Sequence, residues 1–357
     1  MINQKILDLL RNRAEPIWRP GVGVIVVFSI LISILIYTSL ISPEQESEDI
    51  VISSLGELER LPQIISSERV TSDGISDAIY QIFVFRPEAD ILDTIVMYEI
   101  VYQTADGAEV LGFISAPADY ATSGYPILIN NRGGENNVIQ LAVQPKHLIA
   151  SASWLSLRGY IVLESFYRGG RGWVEHEKID QFGGNDLYDV IALLDISEHF
   201  GFRGAGVFMM GSSRGGMMTY MVLRQDNRVD LAAVINAVAD NVELYERSHA
   251  GRRQFRAAIG GSPDELPEEY FRRSAVNWAD EIDTPLLILH GELDHVVPVS
   301  QSKRVYELMR AANRDVELII VEDATHRGRR GARGDLQSYA LDWFEARKRD
   351  KVLPPDF

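Results

Sequence analysis

Val207-Phe208-Met209-Met210-Gly211-Ser212-Ser213-Arg214-Gly215-Gly216 is an apolar strand that runs directly into the pattern G-x-S-x-G-G and on into a helix-like segment, residues 217–224. The pattern reads as a nucleophile elbow, in which a serine occupies a strained strand-to-helix corner and nearby glycines let the backbone turn without a Cβ clash. The register selects Ser213 over Ser212, because only Ser213 has Gly211 two positions before it and Gly215 two after. Such a corner aims the Arg214 N–H and the helix N-terminus at a reacting carbonyl, where negative charge collects. A Gly/Ser-rich turn would also fit the pattern, so the reading stands or falls on partners further along the chain.

Both partners occur, in the order Ser, Asp, His. Residues 286–290, Leu-Leu-Ile-Leu-His, form an apolar run of strand length, and Asp294 lies just beyond it. A carboxylate there can hold an imidazole in one tautomer and stabilise its protonated form. Residues 316–321 read as a further strand, and His326 sits in the loop that follows. Alone, Asp294 would pass for the cap of a helix starting near Ser300 and His326 for a surface histidine. Three such residues at three strand ends point to Ser213 as nucleophile, Asp294 as orienter and His326 as general base.

Around this nucleus, alternating strands and helices predict a mostly parallel sheet covered on both faces. Residues 97–103 and 109–115 form a hairpin with Asp106-Gly107 at the turn. Residues 126–130, 160–164 and 231–236 are strands, and 146–158 and 186–199 helices. The strand at 126–130 leads into Asn131-Arg132-Gly133-Gly134, whose backbone around Arg132 and Gly133 can offer a second oxyanion donor beside Arg214 N–H. A plain loop turn is the alternative there.

The 357 residues are 46% hydrophobic, enough for one large domain. The absence of cysteine excludes disulfides, a thiol nucleophile and cysteine metal sites, and the net charge of −16 argues against nucleic acid as a partner. Residues 1–20 form a basic segment expected in the cytoplasm. Residues 21–41 carry no charged side chain and, as a helix, would span roughly 30 Å, the thickness of a bilayer core. They read as an uncleaved transmembrane signal anchor; cleavage or a buried core helix are the alternatives. With acidic residues after the span, the catalytic part is expected outside the cytoplasm. Residues 42–95 read as a juxtamembrane linker and N-terminal extension, with 80–85 as a possible strand, and residues 96–350 as the catalytic domain.

Between about Tyr98 and Lys348 the chain resembles the catalytic domain of the prolyl oligopeptidase family of serine peptidases. The matching pieces are Asp106-Gly107, Gly133-Gly134, Tyr167-Arg168-Gly169-Gly170, the elbow, Arg273-Ser274-Ala275-Val276-Asn277-Trp278, the run from His290-Gly291 through Asp294 to Pro298, and His326. The resemblance implies an α/β-hydrolase fold with a small helical cap at 241–280, the triad Ser213, Asp294 and His326, no metal or organic cofactor, and a peptide substrate. It also marks departures. Residues 42–95 are too few for the family's β-propeller. No tyrosine between Tyr125 and Tyr160 can supply an oxyanion hydroxyl, Val296 stands where some members hold a substrate carbonyl with arginine or asparagine, and Arg214 stands where tyrosine is common.

Arginines cluster at 252, 253, 256, 272 and 273 and again at 327, 329, 330 and 333. They suit either a carboxylate-bearing substrate or an ordinary solvated surface. Peptidase and carboxylesterase remain open, since one triad serves both bonds. A membrane-tethered binding protein on a dead hydrolase scaffold is the third reading.

Overall fold

The structure is a computed structural model of the chain and describes residues 50–83, 89–134, 138–168, 181–202, 204, 206–247, 249–329 and 335–352. The chain divides into residues 1–50 and 51–357, and the fold below is that of the second unit. The expected cytoplasmic segment and membrane span, residues 1–41, lie outside the described residues. Among the described residues no helix is long and apolar enough to cross a membrane.

Nine strands form one sheet. In chain order they are β1 (Ile64–Arg69), β2 (Ile95–Gln103), β3 (Glu109–Pro117), β4 (Ile127–Asn131), β5 (Ile161–Ser165), β6 (Val207–Ser212), β7 (Leu231–Ile235), β8 (Leu286–Gly291) and β9 (Val316–Val321); in space the order is β1-β2-β3-β5-β4-β6-β7-β8-β9. The first three strands and β5 pair antiparallel, and from β5 to β9 every pairing is parallel. The hairpin read around Asp106-Gly107 is β2–β3, with Gln103 opposite Glu109. Strands β4, β7 and β8 are buried along their whole length. That is why they read as continuous apolar runs: in a parallel sheet helices cover both faces.

The helices that matter here are α1 (Ser72–Phe83), α2 (Val138–Ser156), α3 (Leu187–Glu198), α4 (Arg214–Gln225), α5 (Asn241–Arg247), α6 (His249–Ile259), α7 (Pro267–Arg273), α8 (Val299–Ala311) and α9 (Asp335–Val352). Ile75 and Ile79 of α1, Leu148 and Leu155 of α2, and Leu336 and Phe344 of α9 close over Leu128, Phe208, Met210 and Leu287 on one face. The alternate side chains, such as Ile129, Met209 and Ile288, are equally buried and face the other way, where α3, α4 and α8 lie against the sheet. This is the expected α/β-hydrolase architecture. The cap expected between β7 and β8 is α5 to α7, followed by two short 3₁₀ turns, Ala275–Asn277 and Ala279–Glu281.

Two expectations need correction. Residues 51–63, read as linker, are built into the domain: Ile52 makes a parallel bridge to Phe200, and Leu55, Leu58 and Leu61 are buried. Beyond them β1 pairs with β2, so the domain begins near residue 51 instead of 96. The acidic residues of this stretch hid its apolar ones, which are spaced for the 3₁₀ turn Leu55–Arg60. The strand considered at 80–85 is, through Phe83, the last turn of α1. Ile75, Ala78 and Ile79 repeat at helical spacing and are buried, so the packed face carries the helix on to Phe83.

Candidate active site

The sharpest backbone feature in the site is at Ser213, which joins β6 to α4 with φ 56° and ψ −120°. A residue with a side chain holds that conformation only where its surroundings impose it. Here Ser213 N donates to Ile235 O at 2.9 Å, and Ser213 O accepts from Gly216 N at 3.0 Å and Val238 N at 3.1 Å. The elbow is therefore tied to β7 and to its own helix. A Cβ on Gly215 would overlap the carbonyl of Asn131 at the end of β4, so glycine is required for the helix to start this close to the sheet.

Ser213, Asp294 and His326 lie together. His326 Nδ1 is 2.7 Å from Asp294 Oδ2, and its Nε2 is 3.1 Å from Ser213 Oγ. With a carboxylate accepting the Nδ1 proton, Nε2 presents its lone pair to the hydroxyl. Burial pushes the Asp294 carboxyl up, but hydrogen bonds from His290 and His326, the His326 charge and the backbone N–H of Val297 outweigh it. The carboxyl is held well below the usual carboxylate range, and so stays ionised. Asp294 Oδ1 accepts from Val296 N at 2.8 Å and Val297 N at 2.9 Å.

Two supporting residues escaped the sequence reading. His290 is fully buried, with Nε2 3.0 Å from Val297 O and 3.4 Å from Asp294 Oδ2, and Nδ1 2.7 Å from Ser302 Oγ. The Val297 carbonyl only accepts, so Nε2 carries the proton and Ser302 donates to Nδ1. Asn236, at φ 48° beyond β7, accepts from Gly291 N at 2.8 Å and donates to His326 O at 3.1 Å. It joins the end of β8 to the histidine loop. Asn236 carries no local signal because its partners, Gly291 and His326, lie far along the chain, whereas those of His290 lie close by in the sequence, at Asp294, Val297 and Ser302.

The oxyanion candidates are also adjacent. A Cβ on Gly133 would stand 2.9 Å from Ser212 O and 3.4 Å from Ser213 Cβ, so the backbone after β4 passes directly beside the nucleophile. The side chains of Arg132 and Arg214 tie this loop and the elbow to neighbouring parts of the fold. Arg132 donates to Phe166 O from Nε at 3.1 Å and Nη2 at 2.6 Å. Arg214 pairs with buried Asp186 at 2.5 Å and reaches Gly134 O at 3.4 Å. The Tyr167 ring lies 4.5 Å from the Arg132 guanidinium and 4.6 Å from that of Arg214, close enough for cation–π attraction to both.

A model of the prolyl oligopeptidase family matches residues 146–349, a span that holds Ser213, Asp294 and His326. The chain belongs to the prolyl oligopeptidase family of serine-type peptidases. The uncharacterized peptidase YtmA of Bacillus subtilis (strain 168) is 28% identical over 232 residues, 64% of this chain and 86% of that protein. Dipeptidyl-peptidase 5 of Porphyromonas endodontalis is 25% identical over 242 residues, 62% of this chain and 33% of that protein. Among solved structures, the Pyrococcus horikoshii acylaminoacyl peptidase shares the fold, with a TM-score of 0.57 and 20% identity over 71% of this chain and 42% of that one. The chain thus spans most of YtmA and less than half of the two longer proteins.

Within this prolyl oligopeptidase domain a cleft of about 470 Å³ opens beside Ser213. Phe182, Val238, Leu244, Phe255 and Val297 give it apolar walls, and Arg214, Arg247, Gln254 and His295 add polar groups. Phe182 and Phe255 meet edge to face with centroids 5.3 Å apart. The arginine cluster of the cap is largely committed elsewhere. Buried Arg273 donates to Phe182 O at 2.9 Å and pairs with Glu269, Arg272 also pairs with Glu269, and Arg256 pairs with Glu265. Arg327 and Arg329 are exposed, and Arg330 and Arg333 lie outside the described residues, as do Gly169 and Gly170.

Proposed function

We propose that this chain is a membrane-tethered serine peptidase that cleaves short peptides through an acyl-enzyme on Ser213. The observation that carries the proposal is the continuous line from Asp294 Oδ2 through His326 to Ser213 Oγ, with contacts of 2.7 and 3.1 Å. His326 Nε2 takes the Ser213 proton as Oγ attacks the substrate carbonyl carbon. Asp294 stabilises the imidazolium, and the developing oxyanion accepts from the backbone N–H groups of Arg214 and of the Arg132–Gly133 turn. The C–N bond breaks as His326 returns the proton to the leaving amine. Water then attacks the ester with His326 again as base, which releases the acid and restores Ser213.

The apolar walls of the cleft suit an acyl portion of one or two residues. Residues 21–41, free of charge and flanked by basic residues before and acidic residues after, support an anchor with the catalytic domain outside the cytoplasm. The test compares turnover of short peptide p-nitroanilides and matched p-nitrophenyl esters by the full chain in detergent, with Ser213→Ala as control. Amide turnover that disappears in the variant is the expected result. Turnover of esters alone would make the protein a carboxylesterase, and failure to label with a fluorophosphonate would make it a binder.

A further inference from the structure

Arg247 is the cation of the cleft that remains uncommitted. It closes α5, is exposed, and lines the same cleft as Ser213. Its Nη2 lies 3.4 Å from the carbonyl of His295, and among the described residues no carboxylate pairs with it. Arg214, the other guanidinium there, is already paired with Asp186. Among the described residues no aspartate or glutamate lines the cleft, although the chain as a whole carries a net charge of −16. The planar fork of a guanidinium matches a carboxylate geometrically.

Which part of a substrate meets it follows from the position of the base. His326 must hand its proton to the leaving group, so the leaving group lies on the His326 side. The cleft is lined instead by Ser213, Arg214 and Gly134, the nucleophile and the candidate oxyanion loop, without His326. The acyl part of the substrate therefore fills it.

We propose that Arg247 is a specificity-determining residue that selects substrates whose acyl part bears a carboxylate, an acidic side chain within one or two residues of the attacked carbonyl. The proposal rests on the peptidase reading and names its substrate class. It differs from the sequence-level suspicion about the arginine clusters, which does not include Arg247.

The test measures kcat/KM of the full chain on acetylated dipeptide p-nitroanilides that differ only by glutamate or glutamine, at each of the two residues before the scissile bond. At one of these positions the wild type is expected to prefer glutamate roughly tenfold, with the preference shrinking as ionic strength rises. Arg247→Ala should bring the ratio near one, Arg247→Lys should keep part of it, and Arg247→Glu should invert it. A wild-type ratio near one at both positions overturns the proposal. So does an equal loss on both substrates in Arg247→Ala, which would mean that Arg247 only supports the cap or a neutral backbone contact. Fluorophosphonate labelling of every protein separates the two levels. Wild type that fails to label overturns the peptidase reading and this assignment together, whereas labelling with a ratio that Arg247 does not move overturns the assignment alone.

Discussion

Ser213, Asp294 and His326 stand just beyond β6, β8 and β9, whereas the wall they face comes from α5 and α6, short helices of 7 and 11 residues. The first region is held by the sheet itself. Ser213 N is bonded to β7, Asp294 is clasped by the turn after β8, and Asn236 ties the His326 loop to β8. In the second, Leu244 and Gln254 are half-buried and Arg247 is exposed. On the proposed reading, chemistry rests on groups whose positions the core over-determines, and selection on a cap whose side chains can change without disturbing them.

If that contrast holds, substitutions in the first region should act on kcat and those in the second on KM. The largest effect is expected at the triad. Ser213→Ala should lose labelling and lower kcat by roughly 10⁴–10⁶, and Asp294→Asn by about 10⁴, with both proteins folded by circular dichroism. Comparable KM changes with kcat preserved would break the comparison at its root. Next comes Gly133→Ala, where the new Cβ would meet Ser212 O at 2.9 Å. Displacing an oxyanion donor should cost roughly 10²-fold in kcat, read in stopped assays beside the labelling rate.

Phe255→Ala tests the cap. Widening the cleft should raise KM for large apolar acyl groups by about tenfold while kcat changes little; a matching fall in kcat would show that the cap also orders the elbow.

The smallest effect on turnover is expected from Glu164→Gln, at a fully buried residue near the end of β5 that has no part in the triad. Burial pushes the Glu164 carboxyl up to about 8, against hydrogen bonds from Asn130 and Ser151 that lower it. The folded state therefore keeps a proton that the unfolded chain has lost, so wild-type stability should fall as pH rises from about 4.5 to about 8. In Glu164→Gln that slope should be absent. Melting temperatures of the two proteins across this range provide the check, and parallel curves would show that Glu164 is ionised in the fold.

The parallel half of the sheet was legible because each strand is an apolar run and each reactive residue follows one within a few positions. Chain order and spacing then brought out Ser213, Asp294, His326 and the Gly133 turn as candidates, and the fold brings them together. The N-terminal stretch was misread because Leu55, Leu58, Ile75 and Ile79 are scattered among polar residues, and their burial depends on Phe200 and α2, far along the chain.

Charge was the least legible property. The arginines of 252–273 stood out by number, yet Glu265 and Glu269 neutralise several of them, and Arg247 acquires its place only when α5 folds over the elbow. By itself the sequence picked out the candidate reacting groups, since a strand end and its turn are local structures encoded by adjacent residues. Only the tertiary structure decided which buried partners hold those groups and which cation lines the cleft, because burial and pairing are set by residues that the chain brings together from a distance.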